Sequence, residues 1–219
     1  MKLKKRWRKK IISSMDNVSL TCSTKNGVMV LRTYTKIKVF FIGVVVMCLI
    51  AYATLQSDFI QKKFFYPYPY KEFITEYAAL RNLDSTLVAG VVLNESKFRL
   101  GAKSHKGAMG LMQLMPETAK WIAKQMEDDE FTINDLEDPE INIRFGTWYL
   151  ASLSKEFKGN EILMLAAYNA GRGNVKEWME INQWDMNFSD IDQIPYKETR
   201  EYVAKVMKSK QSYKKLYVD

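Results

Sequence analysis

The sequence LVAGVVLNESKFRLGAKSHKGAMGLMQLMP, from Leu87 to Pro116, carries most of the information about this chain. Its first half predicts a helix with one apolar stripe, formed by Leu87, Val88, Val91 and Val92. Glu95 stands three residues after Val92 and four after Val91, so the stripe ends on a carboxyl group. Burial disfavours the ionised form and raises the pKa of a carboxyl group, which suits it to donate a proton near neutral pH. The alternative is that the helix ends here and Glu95 reaches solvent.

The second half of this stretch is a loop that contains Gly101, Gly107 and Gly110. Glycine permits positive φ angles and close backbone approach, so these positions predict tight turns. Gln113 follows among leucines and methionines, and a buried amide needs partners such as the hydroxyl or N-acetyl groups of a sugar. His105 is the only histidine of the chain, and neither a cysteine nor a second histidine accompanies it. We therefore expect it to be exposed, and we expect no metal or other cofactor.

Helix signals dominate the chain beyond residue 70. Asp84, Asp138-Pro139 and Asn160 are typical of helix starts, Pro116 suits a first helical position, and Gly171 suits a helix end. These signals predict helices at about 71–81, 84–98, 116–126, 139–157, 160–171, 175–181 and 197–210. Signals for β-hairpins are nearly absent, so the predicted fold class is mainly α.

Positive charge is concentrated at the N-terminus. Residues 1–38 hold eleven Lys or Arg and one acid, Asp16, in a chain whose net charge is +8. The run VFFIGVVVMCLIAYATL, residues 39–55, follows without a charged residue and is just long enough for a transmembrane helix. A basic head could bind nucleic acid, but a basic head before an apolar span favours a membrane protein without a nucleic-acid partner. Arg32, Lys36 and Lys38 directly precede the span and predict a cytoplasmic N-terminus.

Two interpretations of the apolar segment remain open. An uncleaved anchor is favoured, because a head of 38 residues is long for a signal peptide. Cleavage after Ala51-Tyr52-Ala53, or a true start at Met29, would instead give a secreted protein. Residues 56–70 are rich in aromatic residues and proline and predict a stalk. The predicted organisation is a basic cytoplasmic head (1–38), an anchor (39–55), the stalk and an extracytoplasmic domain.

Five motifs occur in order along that domain. They are Glu95-Ser96-Lys97-Phe98, GAMGLMQLMP (107–116), DLEDPEINIRFGTWYLASL (135–153), AAYNAG (166–171) and IPYKETREYV (194–203). The ordered set resembles the catalytic domain of the soluble-lytic-transglycosylase (Slt) type, a lysozyme-like fold that cleaves peptidoglycan. The resemblance covers about residues 70–210 and departs at Arg172, where such domains often have proline. It implies a catalytic domain at 71–210 and a tail at 211–219.

The resemblance also implies roles for individual residues. Glu95 would be the catalytic acid and base, and the substrate-binding or supporting residues would be Ser96, Gln113, Met115, Tyr168, Asn169 and Glu198. The implied reaction is non-hydrolytic cleavage of the MurNAc–GlcNAc β-1,4 bond to give 1,6-anhydroMurNAc ends, and the implied partners are peptidoglycan glycan strands. The alternatives are a hydrolytic muramidase and a catalytically silent glycan-binding module. Participation in cell-envelope machinery is left open.

Glu95 is the one carboxylate in a motif that suits proton transfer. The acidic run from Glu127 to Glu130 predicts a solvated loop, and Glu198 is expected to hydrogen-bond to the backbone or to Tyr168. Hydrolysis of a glycosidic bond ordinarily needs a second carboxylate. Without one, the N-acetyl carbonyl and the 6-hydroxyl of the sugar are the nearest groups that could act, and an apolar, water-poor groove around Met112 and Met115 would favour them over solvent. The resemblance implies that the 6-hydroxyl attacks the anomeric carbon.

Overall fold

The computed structural model describes residues 24–218, with side chains from residue 37 onward. Most of the predicted basic head, residues 1–23, therefore lies outside the described residues. The described chain forms two compact units, and the division falls between Ile60 and Gln61. The first unit contains helix α1, Thr24–Leu55, and a single helical turn, Asp58–Ile60. Within α1, the stretch Ile37–Leu55 is long and apolar enough to cross a membrane, which fits the predicted anchor.

The second unit is built almost entirely from helices. The α-helices are α2 (Lys71–Leu80), α3 (Ser85–Ser96), α4 (Pro116–Gln125), α5 (Pro139–Glu156), α6 (Glu161–Ala170), α7 (Arg172–Asn182) and α8 (Lys197–Tyr217). A π-helical segment, Gln61–Phe65, and two 3₁₀ turns, Ile133–Glu137 and Ile191–Gln193, complete it. Residues 24–218 form no β-strand, only isolated bridges that pair Met109 with Lys103 and with Leu114. The predicted fold class, mainly α, is confirmed.

Side-chain caps begin three of these helices where the sequence predicts them. The Asp84 carboxylate accepts the Thr86 N–H at 2.8 Å and begins α3. Asp138 accepts the Ile141 N–H at 3.0 Å before α5. Asn160 accepts the Leu163 N–H at 3.0 Å before α6. Each cap satisfies one of the backbone donors that a helix start leaves unpaired, so these boundaries follow from local chemistry.

Helix α3 lies in the centre of the second unit, and its predicted apolar stripe is fully buried. It packs against α8, and the two helices run in opposite directions. Gly90 permits the close approach, because a Cβ there would lie 3.1 Å from the carbonyl oxygen of Val206. Near the start of α3, the Lys210 ammonium lies 3.3 Å from Asp84 and 2.6 Å from Glu161 of α6. The end of α3, which carries Glu95, therefore lies beside the beginning of α8.

The second unit extends beyond the predicted domain limits at both ends. The three tyrosines of residues 66–70 pack against its core, and buried Tyr213 donates its hydroxyl to the Pro67 carbonyl at 2.7 Å. Tyr217 likewise donates to the Tyr66 carbonyl at 2.8 Å. Helix α8 continues to Tyr217, through most of the predicted tail at 211–219. Helix α7 also begins earlier than predicted, directly after Gly171.

Candidate active site

Glu95 is the next-to-last residue of α3, one turn beyond the buried stripe. Its side chain is partly buried. Burial raises the pKa of the carboxyl group to about 7, because removal from water penalises the charged form. The predicted position at the end of an apolar face is confirmed. The group can therefore be protonated at neutral pH without a second acid beside it.

Two tyrosines, Tyr168 of α6 and Tyr202 of α8, accompany Glu95. Burial first, and then the charge of Glu95, hold the pKa of both phenols well above the usual range. The Tyr202 hydroxyl is close enough to favour the ionised form of Glu95, which partly offsets the effect of burial on the pKa of Glu95. The two groups stop short of a full hydrogen bond, and within the described residues the buried Tyr202 oxygen has no hydrogen-bond partner. Both phenols therefore stay neutral beside the acid.

The loop that contains Gly101, Gly107 and Gly110, here called the glycine loop, is connected to the site by a hydrogen bond from Tyr168. The Tyr168 hydroxyl donates to the backbone carbonyl of Met112 at 2.6 Å. Gln113 follows with a positive φ of 48°. Its amide nitrogen donates to the carbonyl oxygens of Ala102 and Gly110 at 2.9 and 2.8 Å. Since both protein partners are acceptors, the amide oxygen is turned away from them and is available to accept a hydrogen bond from a ligand.

Asn142 of α5 holds this loop in place from below. Its buried side chain accepts the Met112 N–H at 2.8 Å and donates to the carbonyls of Met109 and Leu136 at 3.1 and 2.9 Å. Gly110 lies directly over it with a φ of 77°, and a Cβ at this position would collide with the Asn142 amide. Gly146, one turn further along α5, leaves space for the Met112 side chain. The loop conformation therefore depends on α5.

An open cleft of about 580 Å³ is lined by Asn169, the residue after Tyr168. Its walls come from the end of α6, the beginning of α7, the beginning of α8 with the two residues before it, and the glycine loop. The lining residues are Lys106, Asn169, Ala170, Asn174, Pro195, Tyr196, Lys197, Glu198 and Thr199. The Asn169 side-chain oxygen accepts the Thr199 hydroxyl at 2.8 Å, which leaves its amide N–H groups for a ligand. Glu198 is exposed at the same cleft. The cleft therefore offers amide donors and a carboxylate acceptor, the groups that bind sugar hydroxyls.

A smaller cleft of about 250 Å³ is lined by residues of α4, α5 and α7, among them Trp121, Tyr149 and Arg172. The Tyr149 ring lies 5.5 Å from the Tyr168 ring and 6.2 Å from that of Trp121. The Arg172 guanidinium lies 5.2 Å above the Trp121 ring. Aromatic faces of this kind suit the apolar faces of pyranose rings.

Several predicted site residues occupy other positions than expected. Ser96 is 1% exposed and donates its hydroxyl to the Val92 carbonyl within the helix, so it faces no open surface. Met112 is fully buried beneath Gly146 and does not line a groove, whereas Met115 is 41% exposed. Tyr168 bonds to Met112 rather than to Glu198. Packing explains these differences, because Ser96 lies on the inward face of α3 and the loop residue Met112 fills the space that Gly146 leaves.

His105 is exposed, as predicted. Within the described part of the chain, no three His, Cys, Asp or Glu side chains are grouped closely enough to hold a metal ion.

The sequence interpretation missed Asn142 and Tyr202. Tyr202 lies four residues after Glu198 in the motif IPYKETREYV, so one helical turn relates them. Asn142 is a polar residue in register with Phe145, Gly146 and Tyr149 on one face of α5. A polar side chain on an otherwise apolar face was the available signal for Asn142. No local signal connected either residue to its partner.

A mainly α unit in which one partly buried acid ends a central helix fits the lysozyme-like class of fold. The family model described as the Transglycosylase SLT domain matches residues 72–190, and the chain belongs to this family. It is 33% identical over 152 residues to the soluble lytic murein transglycosylase of Salmonella typhimurium, with 68% of this chain and 23% of the relative covered. It is 28% identical over 165 residues to the membrane-bound lytic murein transglycosylase C of Actinobacillus pleuropneumoniae, with 66% of this chain and 45% of the relative covered. The chain thus covers less than half of the length of these relatives.

Solved structures agree with this assignment. The 70 kDa soluble lytic transglycosylase Slt70 of Escherichia coli has a TM-score of 0.65 at 32% identity, with 70% of this chain and 25% of that chain covered. The lytic transglycosylase Slt of Pseudomonas aeruginosa, solved as an inactive mutant, has a TM-score of 0.63 at 32% identity, with 71% and 26% covered. The resemblance noted in the sequence, and the fold it implied, are confirmed.

Proposed function

We propose that this chain is a membrane-anchored lytic transglycosylase that cleaves the MurNAc–GlcNAc β-1,4 bond of peptidoglycan without water. The observation that carries the proposal is the carboxyl group of Glu95, whose pKa burial raises to about 7. A glycosidic oxygen is a poor leaving group until it is protonated, and an acid with this pKa can protonate it near neutral pH. Membership of the transglycosylase SLT family supports the substrate class.

Glu95 acts first as acid and then as base. Its proton passes to the glycosidic oxygen as the bond from that oxygen to the anomeric carbon of MurNAc breaks. The 6-hydroxyl oxygen of the same sugar then bonds to the anomeric carbon, and the hydroxyl proton returns to the Glu95 carboxylate. The ring closes as a 1,6-anhydro sugar and the acid is regenerated, so no water is consumed.

The surrounding side chains position the glycan for this reaction. The free amide oxygen of Gln113 and the amide N–H groups of Asn169 are placed to bind hydroxyl or N-acetyl groups. Glu198 can accept a hydrogen bond from a sugar hydroxyl in the larger cleft, and Met115 offers an exposed apolar contact. The Tyr168 hydroxyl holds the glycine loop in place by its hydrogen bond to the Met112 carbonyl. Ser96 keeps a structural role beside Glu95, in the last turn of α3.

A hydrolytic muramidase would use a second carboxylate, about 5–5.5 Å from the first for retention or about 6.5–9.5 Å for inversion. In the described structure the pKa of Glu95 is set by burial and by Tyr202, and no other carboxylate contributes to it. This arrangement favours attack from within the substrate over attack by an activated water.

The decisive experiment is mass spectrometry of muropeptides after the purified full chain, in detergent, has been incubated with peptidoglycan. Transglycosylase products should be lighter than hydrolytic products by one water molecule. Glu95→Gln should abolish product formation and keep binding to peptidoglycan, because the amide retains the shape but not the proton. Glu201→Gln, an exposed acid of α8, is the matched control and should retain full activity. Products with reducing-end muramic acid would identify a muramidase, and binding without any product from the wild type would identify a glycan-binding module.

We also propose that the chain crosses the membrane once, with the N-terminus in the cytoplasm and the second unit outside. The apolar part of α1 and the preceding basic residues support this orientation. A membrane-impermeant thiol reagent should label a Gln61→Cys variant in intact cells and leave Cys22 unlabelled. The reverse pattern would contradict the orientation, and release of a soluble form starting near Thr54 would show signal cleavage.

A further inference from the structure

One end of the second unit combines exposed apolar side chains with a concentration of lysines. It is formed by residues 61–71 and by residues 212–218 at the end of α8, and we call it the base. Phe64, Phe65 and Val218 are 64%, 50% and 65% exposed there. The base also carries five exposed lysines: Lys62, Lys63, Lys71, Lys214 and Lys215. Neither of its two segments contains an acidic residue.

The charge of the base contrasts with that of the chain between its two segments. Residues 72–211 hold seventeen Lys or Arg against twenty-two Asp or Glu, so they are net negative, whereas the base carries five positive charges. A charge distribution of this kind turns the positive end of a domain towards an anionic surface.

The base is a fixed surface, not a flexible linker. The Tyr66 and Tyr68 rings lie 5.7 and 5.2 Å from the Tyr213 ring, and two tyrosine hydroxyls bond to backbone carbonyls of the other segment. The ammonium groups of Lys62 and Lys71 lie over the Tyr217 ring, 5.2 and 5.9 Å from its centre. The lysines and the exposed phenylalanines are therefore presented together by one packed scaffold.

The sequence keeps the base close to the apolar span. Only residues 56–60 separate Leu55, where the span ends, from Gln61, where the second unit begins. At about 3.3–3.6 Å per residue this connection reaches roughly 20 Å when fully extended. Chain length alone therefore tethers Gln61, the first residue of the base, within about 20 Å of the end of the apolar span.

The base and Glu95 lie at opposite ends of the α3–α8 pair. The Tyr68 hydroxyl contacts the Ser85 carbonyl at 3.3 Å, which marks the base end of α3. Glu95 is at the other end of this helix, about 15 Å away at 1.5 Å per residue. Along α8, Tyr202 near Glu95 and Tyr217 in the base are likewise separated by about 22 Å.

We propose that the base rests on the anionic phospholipid headgroups of the membrane that holds α1. Phe64 and Phe65 enter the interface, and the five lysines bind the headgroup phosphates. The end of the second unit that carries Glu95 then faces away from the bilayer. The proposal rests on the single-pass anchor proposed above but does not depend on catalysis.

The test uses the full chain in vesicles, with Cys22 and Cys48 replaced by serine. A nitrobenzoxadiazole label is placed on Phe64→Cys in the base or, as the matched position, on Leu100→Cys, which is 47% exposed beyond the Glu95 end of α3. Dithionite in the outer solution reduces the label where water reaches it. In phosphatidylcholine vesicles containing phosphatidylglycerol, the label at 64 should be reduced at least about fivefold more slowly than the label at 100, since each lysine near an anionic surface contributes about 1 kcal/mol.

Two further comparisons identify the cause of the protection. The difference between the positions should fall below about twofold in vesicles of phosphatidylcholine alone, and also in the double variant Lys214→Glu, Lys215→Glu in anionic vesicles. These lysines are exposed and outside the site, so the double variant should keep its melting temperature and its activity on soluble glycan fragments. Glu95→Gln should give the same label protection as its parent, which separates this result from a failure of the proposed reaction.

The proposal is wrong if both labels are reduced equally fast in anionic vesicles. It is also wrong if protection at 64 persists unchanged in neutral vesicles or in the double lysine variant, because packing or simple proximity would then explain it. A chain that does not float with the vesicles would overturn the anchor and the docked base together.

Discussion

Asn142→Ala should be one of the most destabilising single substitutions in the second unit. The buried amide accepts the Met112 N–H at 2.8 Å and donates to the Met109 and Leu136 carbonyls at 3.1 and 2.9 Å. Each hydrogen bond contributes about 1 kcal/mol net, and the buried Met112 N–H that is left unpaired costs about 1–3 kcal/mol more. The Met109 carbonyl still accepts the Leu114 N–H and suffers less. We therefore expect the free energy of unfolding to fall by about 3–5 kcal/mol.

The measurement is urea denaturation of the full chain in detergent micelles, followed by near-ultraviolet circular dichroism, which reports aromatic packing in the second unit. Asn134→Ala is the matched control, because Asn134 is exposed in the adjacent 3₁₀ turn and its loss should change stability by less than about 0.5 kcal/mol. A loss of less than about 1 kcal/mol for Asn142→Ala would refute the argument that α5 holds the glycine loop.

Two other substitutions test the same loop. Gly110→Ala should destabilise the chain by an amount similar to Asn142→Ala, because a Cβ at a φ of 77° would collide with the Asn142 amide. In urea denaturation, the variant that combines Gly110→Ala and Asn142→Ala should lose clearly less stability than the sum of the two single losses. Full additivity would contradict a shared contact. Tyr168→Phe should lower kcat about tenfold by releasing the Met112 carbonyl, with a stability loss near 1 kcal/mol. A large fall in melting temperature at unchanged kcat would make Tyr168 a structural residue only.

Local chemistry allowed much of the fold to be predicted from the sequence. The caps at Asp84, Asp138 and Asn160 are short-range interactions between a side chain and the next turn, so they can be recognised without tertiary information. The position of Glu95 followed in the same way, from helical periodicity alone. Its raised pKa is the consequence of that position once neighbouring helices exclude water.

Contacts between distant segments could not be predicted in this way. Tyr66 and Tyr217 are joined only because the chain folds back on itself, so the aromatic segment before residue 70 seemed to be a stalk and α8 seemed to end early. Asn142 and Met112 are also far apart in sequence. The Gln113 amide nitrogen donates to the backbone carbonyls of Ala102 and Gly110, and Ala102 is eleven residues away. The directions of Ser96, at a helix end, and of Met112, in a loop, are set by tertiary packing, so helical periodicity did not determine them.

The pH dependence of turnover provides a direct test of the acid. Since burial raises the pKa of Glu95 to about 7, kcat/KM should be constant at lower pH and fall about tenfold per pH unit above 7, as the proton donor is lost. The Tyr202 hydroxyl favours the ionised carboxylate, so Tyr202→Phe should raise the pKa of Glu95 further and move the midpoint of the profile to higher pH. Tyr77→Phe, which removes a hydroxyl bonded to Glu140 on another face, should leave the midpoint unchanged. The folded-state pKa is above the unfolded value, so the protonated acid favours folding at low pH, and stability is lost as the pH rises through about 7. Glu95→Gln should remove this loss and be relatively more stable above pH 7, even though it is inactive.

A pH profile in which activity persists well above pH 7 would show that Glu95 is not the titrating proton donor. A midpoint that moves to lower pH in Tyr202→Phe would show that Tyr202 does not act on Glu95 as described.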